Sequence, residues 1–323
     1  MDLSASQTFA SNPKLQADNS MNAVSSKKIY FTGPYRRQEW SLPESIIFYM
    51  AKNPKSAEIY QKLVKSCKYF YIKNPIAVVE FLSLDDNSVF MTSFDDYRDC
   101  KNLSDVANKF WITDSLGNSF DRTVSTYISS IIPHLFRCDV KELTLNQQII
   151  LFDEFLFLSS NVTKIALEQT VVKYENASIV PLEKLIKALP NVKKIIFGDN
   201  LTDSGITSNT AKELLELNNF LNVEEFHISD IPETFDIETF FAYFKVGLCL
   251  NNNIVQIFNF LEKKFIKFGF ECITPISNAY QIRLEKIVDE VLGTEIREYK
   301  APFISFIELD DEKWTKMYSI YYA

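Results

Sequence analysis

Asn191–Phe197 reads NVKKIIF: an apolar residue, two variable ones, a second apolar, one variable and a third apolar. The same frame returns as DVKELTL at Asp139–Leu145, NVTKIAL at Asn161–Leu167 and NVEEFHI at Asn222–Ile228. Its copies begin at Val140, Val162, Val192 and Val223, so they lie 22, 30 and 31 residues apart. Period-two apolar positions over so short a run predict a strand with one face buried. Recurrence at this spacing predicts stacked units, each with one strand and one returning helix.

The returning helices are visible between the frames. Pro181 opens PLEKLIKALPN, which puts Leu182, Leu185, Ile186 and Leu189 on one stripe, and NTAKELLELNNFLN repeats the arrangement with Leu214, Leu217 and Leu221. Each leads directly into the next strand, as in leucine-rich repeats, whose units stack a short parallel strand and a helix. Farther on, EIREYKA with Ile296, Tyr299 and Ala301 fits a further unit, whereas NNNIVQIFNF fits only two of the three apolar positions. The final PFISFIEL and KMYSIYYA are expected to be strands capping the array, since terminal repeats must not leave edges open.

Side chains alternate across a strand, so the variable positions predict an outward ladder. It holds Glu142, Thr144 and Asn146, then Lys164, Ala166 and Glu168, then Lys194, Ile196 and Gly198, then Glu225, His227 and Ser229. This mixed face is the candidate for binding a protein target. A plain solvated sheet face would read the same way.

Upstream, SLPESIIFYM places Ser41 and Pro43 at a helix start with Glu44 near the positive end of the dipole, before Ile46, Ile47 and Met50 at helical spacing. Asn53-Pro54 ends that helix. From Ser56, Tyr60, Leu63, Val64, Cys67, Phe70 and Tyr71 fall on one stripe and predict a single amphipathic helix that stops at Pro75. Lys55, Lys62, Lys65 and Lys68 lie off the stripe and read as a solvated basic face. Between Ile76 and Asp121, apolar clusters alternate with Asp- and Asn-rich turns, which suits short strands or helices.

Composition excludes several function classes. With 34 basic and 42 acidic residues the net charge is −8, so nucleic acid is not expected as a partner. Seven glycines in 323 residues leave little from which to build phosphate-cradling loops. The five cysteines are never closer than 23 residues, which suits thiols in a reducing compartment. Residues 1–38 are polar and lack an apolar signal region, so a disordered leader and a cytoplasmic or nuclear location are expected, with no membrane segment. His134 and His227 are the only histidines, and neither has a partner at metal-ligand spacing. The doublets Asp85-Asp86, Asp95-Asp96 and Asp310-Asp311 read as solvated turns. No catalytic residue, metal site or cofactor is expected, and the chain does not read as an enzyme.

Residues 42–71, LPESIIFYMAKNPKSAEIYQKLVKSCKYFY, resemble an F-box-like module, in the divergent nematode type that carries a C-terminal repeat region. The resemblance rests on Leu42-Pro43, then Ile46, Ile47 and Met50, then Leu63, Val64, Cys67 and Phe70. It implies a helical unit that docks on a Skp-type adaptor of a cullin-RING (SCF-type) ubiquitin ligase, with Leu42, Pro43, Ile46, Ile47 and Met50 supplying the apolar contact. The same five residues could instead be the module's own core. The expected fold is α/β: an F-box-like helical module at 39–75, a transition region at 76–130, and an irregular leucine-rich-repeat-like solenoid with a C-terminal cap at 131–323. Two functions follow, a ligase adaptor or a stand-alone repeat scaffold. They differ in whether the apolar face of residues 42–50 is open or covered.

Overall fold

The computed structural model describes residues 39–85, 88–93, 96–100, 109–119, 126–200, 202–246, 276–295 and 301–322. The leader at 1–38, the segments NNNIVQIFNF and FLEKKFIKFGF, most of EIREYKA, and Asp86 and Asp95 lie outside them.

The four frames are strands: β6 (Glu142–Asn146), β8 (Lys164–Glu168), β10 (Lys194–Gly198) and β11 (Glu225–Ser229). They pair in parallel and in one register, with Leu143, Ile165, Ile195 and Phe226 abreast. All twelve apolar frame residues, from Val140 to Ile228, are buried in one core. The protein is therefore α/β with a parallel sheet. The connecting helices are α5 (Phe152–Ser159), α6 (Leu182–Lys187) and α7 (Thr210–Leu215), with a second, short strand pair of β7 (Ile149–Leu151) and β9 (Val171–Lys173).

The sheet does not begin at residue 131. Strands β1 (Ile76–Asp85), β2 (Ser88–Ser93), β3 (Asp96–Cys100) and β4 (Lys109–Asn118) give the order β11-β10-β8-β6-β4-β1-β2-β3. The far edge is antiparallel, β1 with β2 and β2 with β3, while β4 lies parallel between β1 and β6. Its first half pairs with β5 (Leu135–Cys138), which follows α4 (Tyr127–Ile131) and a 3-10 turn. Successive parallel strands from β4 onward, β5 apart, each step one place in the same direction.

Two features hold the ends of these strands. Asn146, expected on the outward ladder, is instead buried and locked to Asn118 of β4. Asn118 Nδ2 donates to the Asn146 carbonyl (2.8 Å), Asn146 N donates to Asn118 Oδ1 (2.9 Å), and Asn146 Nδ2 donates to the Asn118 carbonyl (2.6 Å). An amide that satisfies backbone groups where a sheet ends has a physical reason to turn inward. One residue farther on, Gln147 (φ 54°), Gln169 (φ 51°) and Asp230 (φ 51°) occupy equivalent places in three units and are left-handed. The chain makes this turn without glycine; Asp230 is of a type that tolerates the conformation, whereas the two glutamines are not.

The C-terminal strand expectation fails. KMYSIYYA lies in α10 (Asp311–Tyr322) apart from its last residue, outside the description, and Ala301–Phe306 are buried without regular structure. Asp310 Oδ1 accepts from Glu312 N (3.0 Å) and Lys313 N (3.1 Å), a carboxylate cap at the helix start. Met317 and Tyr321, four apart, then face the core. Before it runs α9 (Asn278–Gly293), which packs beside α8 (Ile237–Val246) and is tied to it by Arg283 on Glu238. No helix among the described residues is long and apolar enough to cross a membrane.

At the other end stand α1 (Glu44–Lys52), α2 (Ala57–Ser66) and α3 (Lys68–Lys73). The single stripe expected from Tyr60 to Tyr71 is broken at Cys67, whose backbone is extended (φ −155°, ψ 128°). The break sends the two ends to different cores. Phe70 packs with Ile47 and Ala51 inside the module, and Tyr60 packs with Ile76 and Trp111 of the sheet. Tyr60 Oη donates to the Asn74 carbonyl (2.6 Å) and accepts from Ile76 N (3.0 Å), so α2 is bonded to the first residue of β1.

The asparagine lock is testable by stability. Asn118→Ala leaves Asn146 N buried without its acceptor and should lower the unfolding free energy by roughly 1–3 kcal/mol in urea. A loss below about 0.5 kcal/mol would show that the lock does not hold the sheet end.

Candidate functional site

Helix α1 is set by Pro43 at its N-cap (φ −53°, ψ 143°), Glu44 in its first turn and Lys52 in its last. Its inner side carries Ile47 and Ala51, buried against Phe70, with Trp40 packing edge-on to Tyr69 and Phe70. Its outer side carries Ile46 at 45% exposure and Tyr49 at 66%, and Leu42, 45% exposed, lies just before its N-cap. Ile46 and Tyr49 are three apart and share one helical face.

The five residues named for adaptor contact are thus divided. Leu42, Pro43 and Ile46 are open, Met50 is half-buried, and Ile47 at 4% exposure belongs to the module's own core. Ile47 is turned inward by its packing on Ala51 and Phe70. Residue spacing alone missed Tyr49, Phe48, Ile59 and Ile72, which are also exposed here. Of fifteen large exposed apolar side chains among the described residues, six fall in residues 42–72, so this module is where apolar surface is concentrated.

The sheet ladder is more closed than its alternation suggests. Its first row, Glu142, Lys164, Lys194 and Glu225, is half-buried and internally paired: Lys164 Nζ lies 2.9 Å from Glu142 Oε2, and Lys194 Nζ 2.5 Å from Glu225 Oε2. The second row, Thr144, Ile196 and His227, is half-buried around a buried Ala166. The third row is mostly shut. Asn146 and Ser229 are buried, and the half-buried Glu168 lies over Gly198, where an added Cβ would meet its Oε2 at 2.2 Å. Asn146 and Ser229 therefore leave the set of side chains that a target could touch. The strand ends where they sit are the places where the backbone turns left-handed and side chains fold back over the sheet.

Asp199, just after β10, is the most perturbed carboxyl. It is buried and accepts from Ser204 Oγ (2.5 Å) and Gly205 N (3.2 Å). Burial pushes its pKa up to about 6, the two hydrogen bonds pull against that, and the charge of Asp230 adds slightly. These contacts hold Ser204 and Gly205 against the end of β10. Burial likewise pushes the Cys138 thiol up to about 12, which makes it unreactive. The groove between α6 and α7, about 480 Å³, is lined by three lysines and three glutamates and favours an ion of neither sign. Among the described residues, no group of three His, Cys, Asp or Glu side chains could hold a metal ion.

Because the folded chain holds the Asp199 proton more tightly than the unfolded chain, raising the pH from about 4 through about 6 costs stability. Asp199→Asn keeps an acceptor for Ser204 and removes the charge. Its stability relative to the parent, measured in urea, should improve by about 2 kcal/mol between pH 4 and pH 7.5. A constant difference across that range would place the carboxyl's titration elsewhere.

A scan against protein-family models matched none to this chain, and a search of the curated proteins found no match.

Proposed function

We propose that this chain is a non-catalytic interaction protein, the substrate-recognition adaptor of a cullin-RING (SCF-type) ubiquitin ligase. In this reading α1–α3 are an F-box-like module that recruits a Skp-type adaptor and its cullin. The strands from β4 to β11 are an irregular leucine-rich-repeat-like solenoid whose half-open face, chiefly Glu142, Thr144, Lys164, Lys194, Ile196, Glu225 and His227, meets a protein target. The protein works in the cytosol or nucleus, where Cys67 and Cys138 stay thiols.

One observation carries the reading: Ile46 and Tyr49 of α1, with Leu42 just before its N-cap, stand open while the helix's other side buries Ile47 and Ala51. Leaving three large apolar groups in water forgoes roughly 1.5–3 kcal/mol for each that a partner could bury. A module that only capped the sheet would gain by turning this face inward. Here Tyr60, Ile76 and Trp111 already make the attachment to the sheet, from α2 and not from α1. The stepwise advance of the parallel strands and the recurring left-handed residue support the repeat reading of the rest.

The test is recovery of a Skp-type adaptor and a cullin with the intact chain, scored by mass spectrometry, against a Leu42→Asp, Ile46→Asp double variant. Both positions are exposed, so the variant should fold, with an unchanged circular dichroism melt. Its adaptor binding should fall by about 100-fold or more, the effect expected at a packed interface centre. A folded intact chain that recovers neither protein would leave the repeat scaffold as the better account.

A further inference from the structure

We infer that the α1–α3 module is a composite docking surface, apolar at its centre and cationic around it, built for an acidic patch on the adaptor; this rests on the ligase reading above. Between residues 42 and 73 the sequence holds six lysines and two glutamates, a charge of +4, while the rest of the chain carries −12. All six lysines are exposed.

Among the described residues, eight lysines outside the module are paired, while the exposed Lys109, Lys187, Lys212 and Lys286 are not. Lys141, Lys164, Lys173, Lys184, Lys193, Lys194, Lys313 and Lys316 each lie within 3.4 Å of a carboxylate oxygen. Among the described residues, Lys52, Lys55, Lys62, Lys65 and Lys73 form no ion pair. Two lie over aromatic rings instead: Lys52 is 5.9 Å from the Phe48 ring centroid and Lys73 is 5.5 Å from that of Tyr69. A protein that pairs most of its other lysines and leaves five of this module's six outside ion pairs holds a local positive field on an acidic body. Such a field attracts a negatively charged surface.

The exposed apolar side chains interleave with these lysines. Ile59 precedes Lys62 by one helical turn, and Ile72 adjoins Lys73. The occupant must therefore offer both apolar area and carboxylates. A protein surface fits better than an anionic membrane, because the exposed Glu44 stands among Leu42 and Ile46, and Glu58 beside Ile59. Those carboxylates would be pressed against lipid phosphates, whereas a folded partner can meet them with donors.

The experiment measures association of the purified Skp-type adaptor with the full chain, with Lys62→Glu, Lys65→Glu, with Lys62→Gln, Lys65→Gln, and with Leu42→Asp, Ile46→Asp. The on-rate to the intact chain should fall about tenfold from about 50 mM to about 300 mM salt. Charge reversal should cut it about fivefold at low salt with the off-rate nearly unchanged, and the neutral pair should lie between. The neutral pair decides the matter if the reversed one does not fold. Binding that is lost in Leu42→Asp, Ile46→Asp but whose on-rate ignores salt and both lysine variants would overturn the cationic rim and leave the ligase reading standing. No binding to the intact chain would overturn both. Capture of the chain by phosphatidylserine vesicles through Lys62 and Lys65, with adaptor binding indifferent to them, would assign the lysines to a membrane and overturn the inference.

Discussion

The constraint on which the rest depends is that each seven-residue frame must hide three apolar side chains from water on one side of one strand. A strand of this length has no second chance at burial, because a slip of one residue turns Leu143 and Leu145 outward and Glu142 and Thr144 into the core. Parallel pairing satisfies the frames jointly, since the buried sets of four strands stand abreast and each covers the next. Burial of a single such side chain stabilises by roughly 1.5–3 kcal/mol, so four frames together outweigh any local preference of their polar residues. That is why Lys164 and Lys194, with Glu142 and Glu225, can be carried on the strands at all. They pair with one another, Lys164 with Glu142 and Lys194 with Glu225.

A parallel sheet made this way must end its strands, and the ends are where polar groups become costly. The Asn118–Asn146 exchange closes one such place. Gln148 and Thr170 close the next, with Thr170 Oγ1 donating to the Leu145 carbonyl (2.9 Å) and Gln148 Nε2 to that of Asn146 (3.1 Å). Each belongs to the residues just beyond a frame, beside the left-handed turn. The ladder that alternation assigns to solvent is therefore used, at its far end, for internal satisfaction. This leaves the two rows nearer the strand starts as the open part of that face.

How much of this was legible in the sequence follows from which signals are local. The frames were, because three apolar residues at fixed offsets recur four times, and α6 was, because Leu182, Leu185 and Ile186 mark a stripe; α5 was not read, and α7 ends at Leu215, before the expected Leu217 and Leu221. The outward apolar face of α1 was readable from its first residues, although the phase that buries Ile47 and opens Tyr49 needed the partner Phe70 to set it. Cys67 could not be read as a break, since the stripe runs through it without interruption; the two cores that claim Tyr60 and Phe70 are distant in sequence. The strands of residues 76–118 carry apolar clusters without a repeating frame, and their placement depends on β4 lying between β1 and β6, a contact between segments far apart. KMYSIYYA is rich in residues that favour strands, yet Asp310 and a polar first turn decide for helix. The left-handed glutamines were missed because Gln is not a turn signal, and only their equivalent positions reveal them.

The way charge is handled follows the same division between the sheet and the module. Paired surface charges contribute little to stability, typically less than about 1 kcal/mol each, so the sheet's Lys–Glu pairs are better understood as removing a field than as adding strength. A face that meets a target through Ile196, Thr144 and a paired row selects by shape and hydrogen bonding at short range. The module does the opposite. Five of its six lysines stand outside such pairs and several of its apolar side chains are open, so in the proposed reading it would act at a distance first and by burial afterwards. The Tyr60 hydroxyl, bonded to both sides of the Asn74–Ile76 junction, keeps these two surfaces on one body. On the proposed function, a partner drawn to the lysines would be brought to a fixed position relative to whatever the strands hold, which is the geometry that a protein joining two others has to supply.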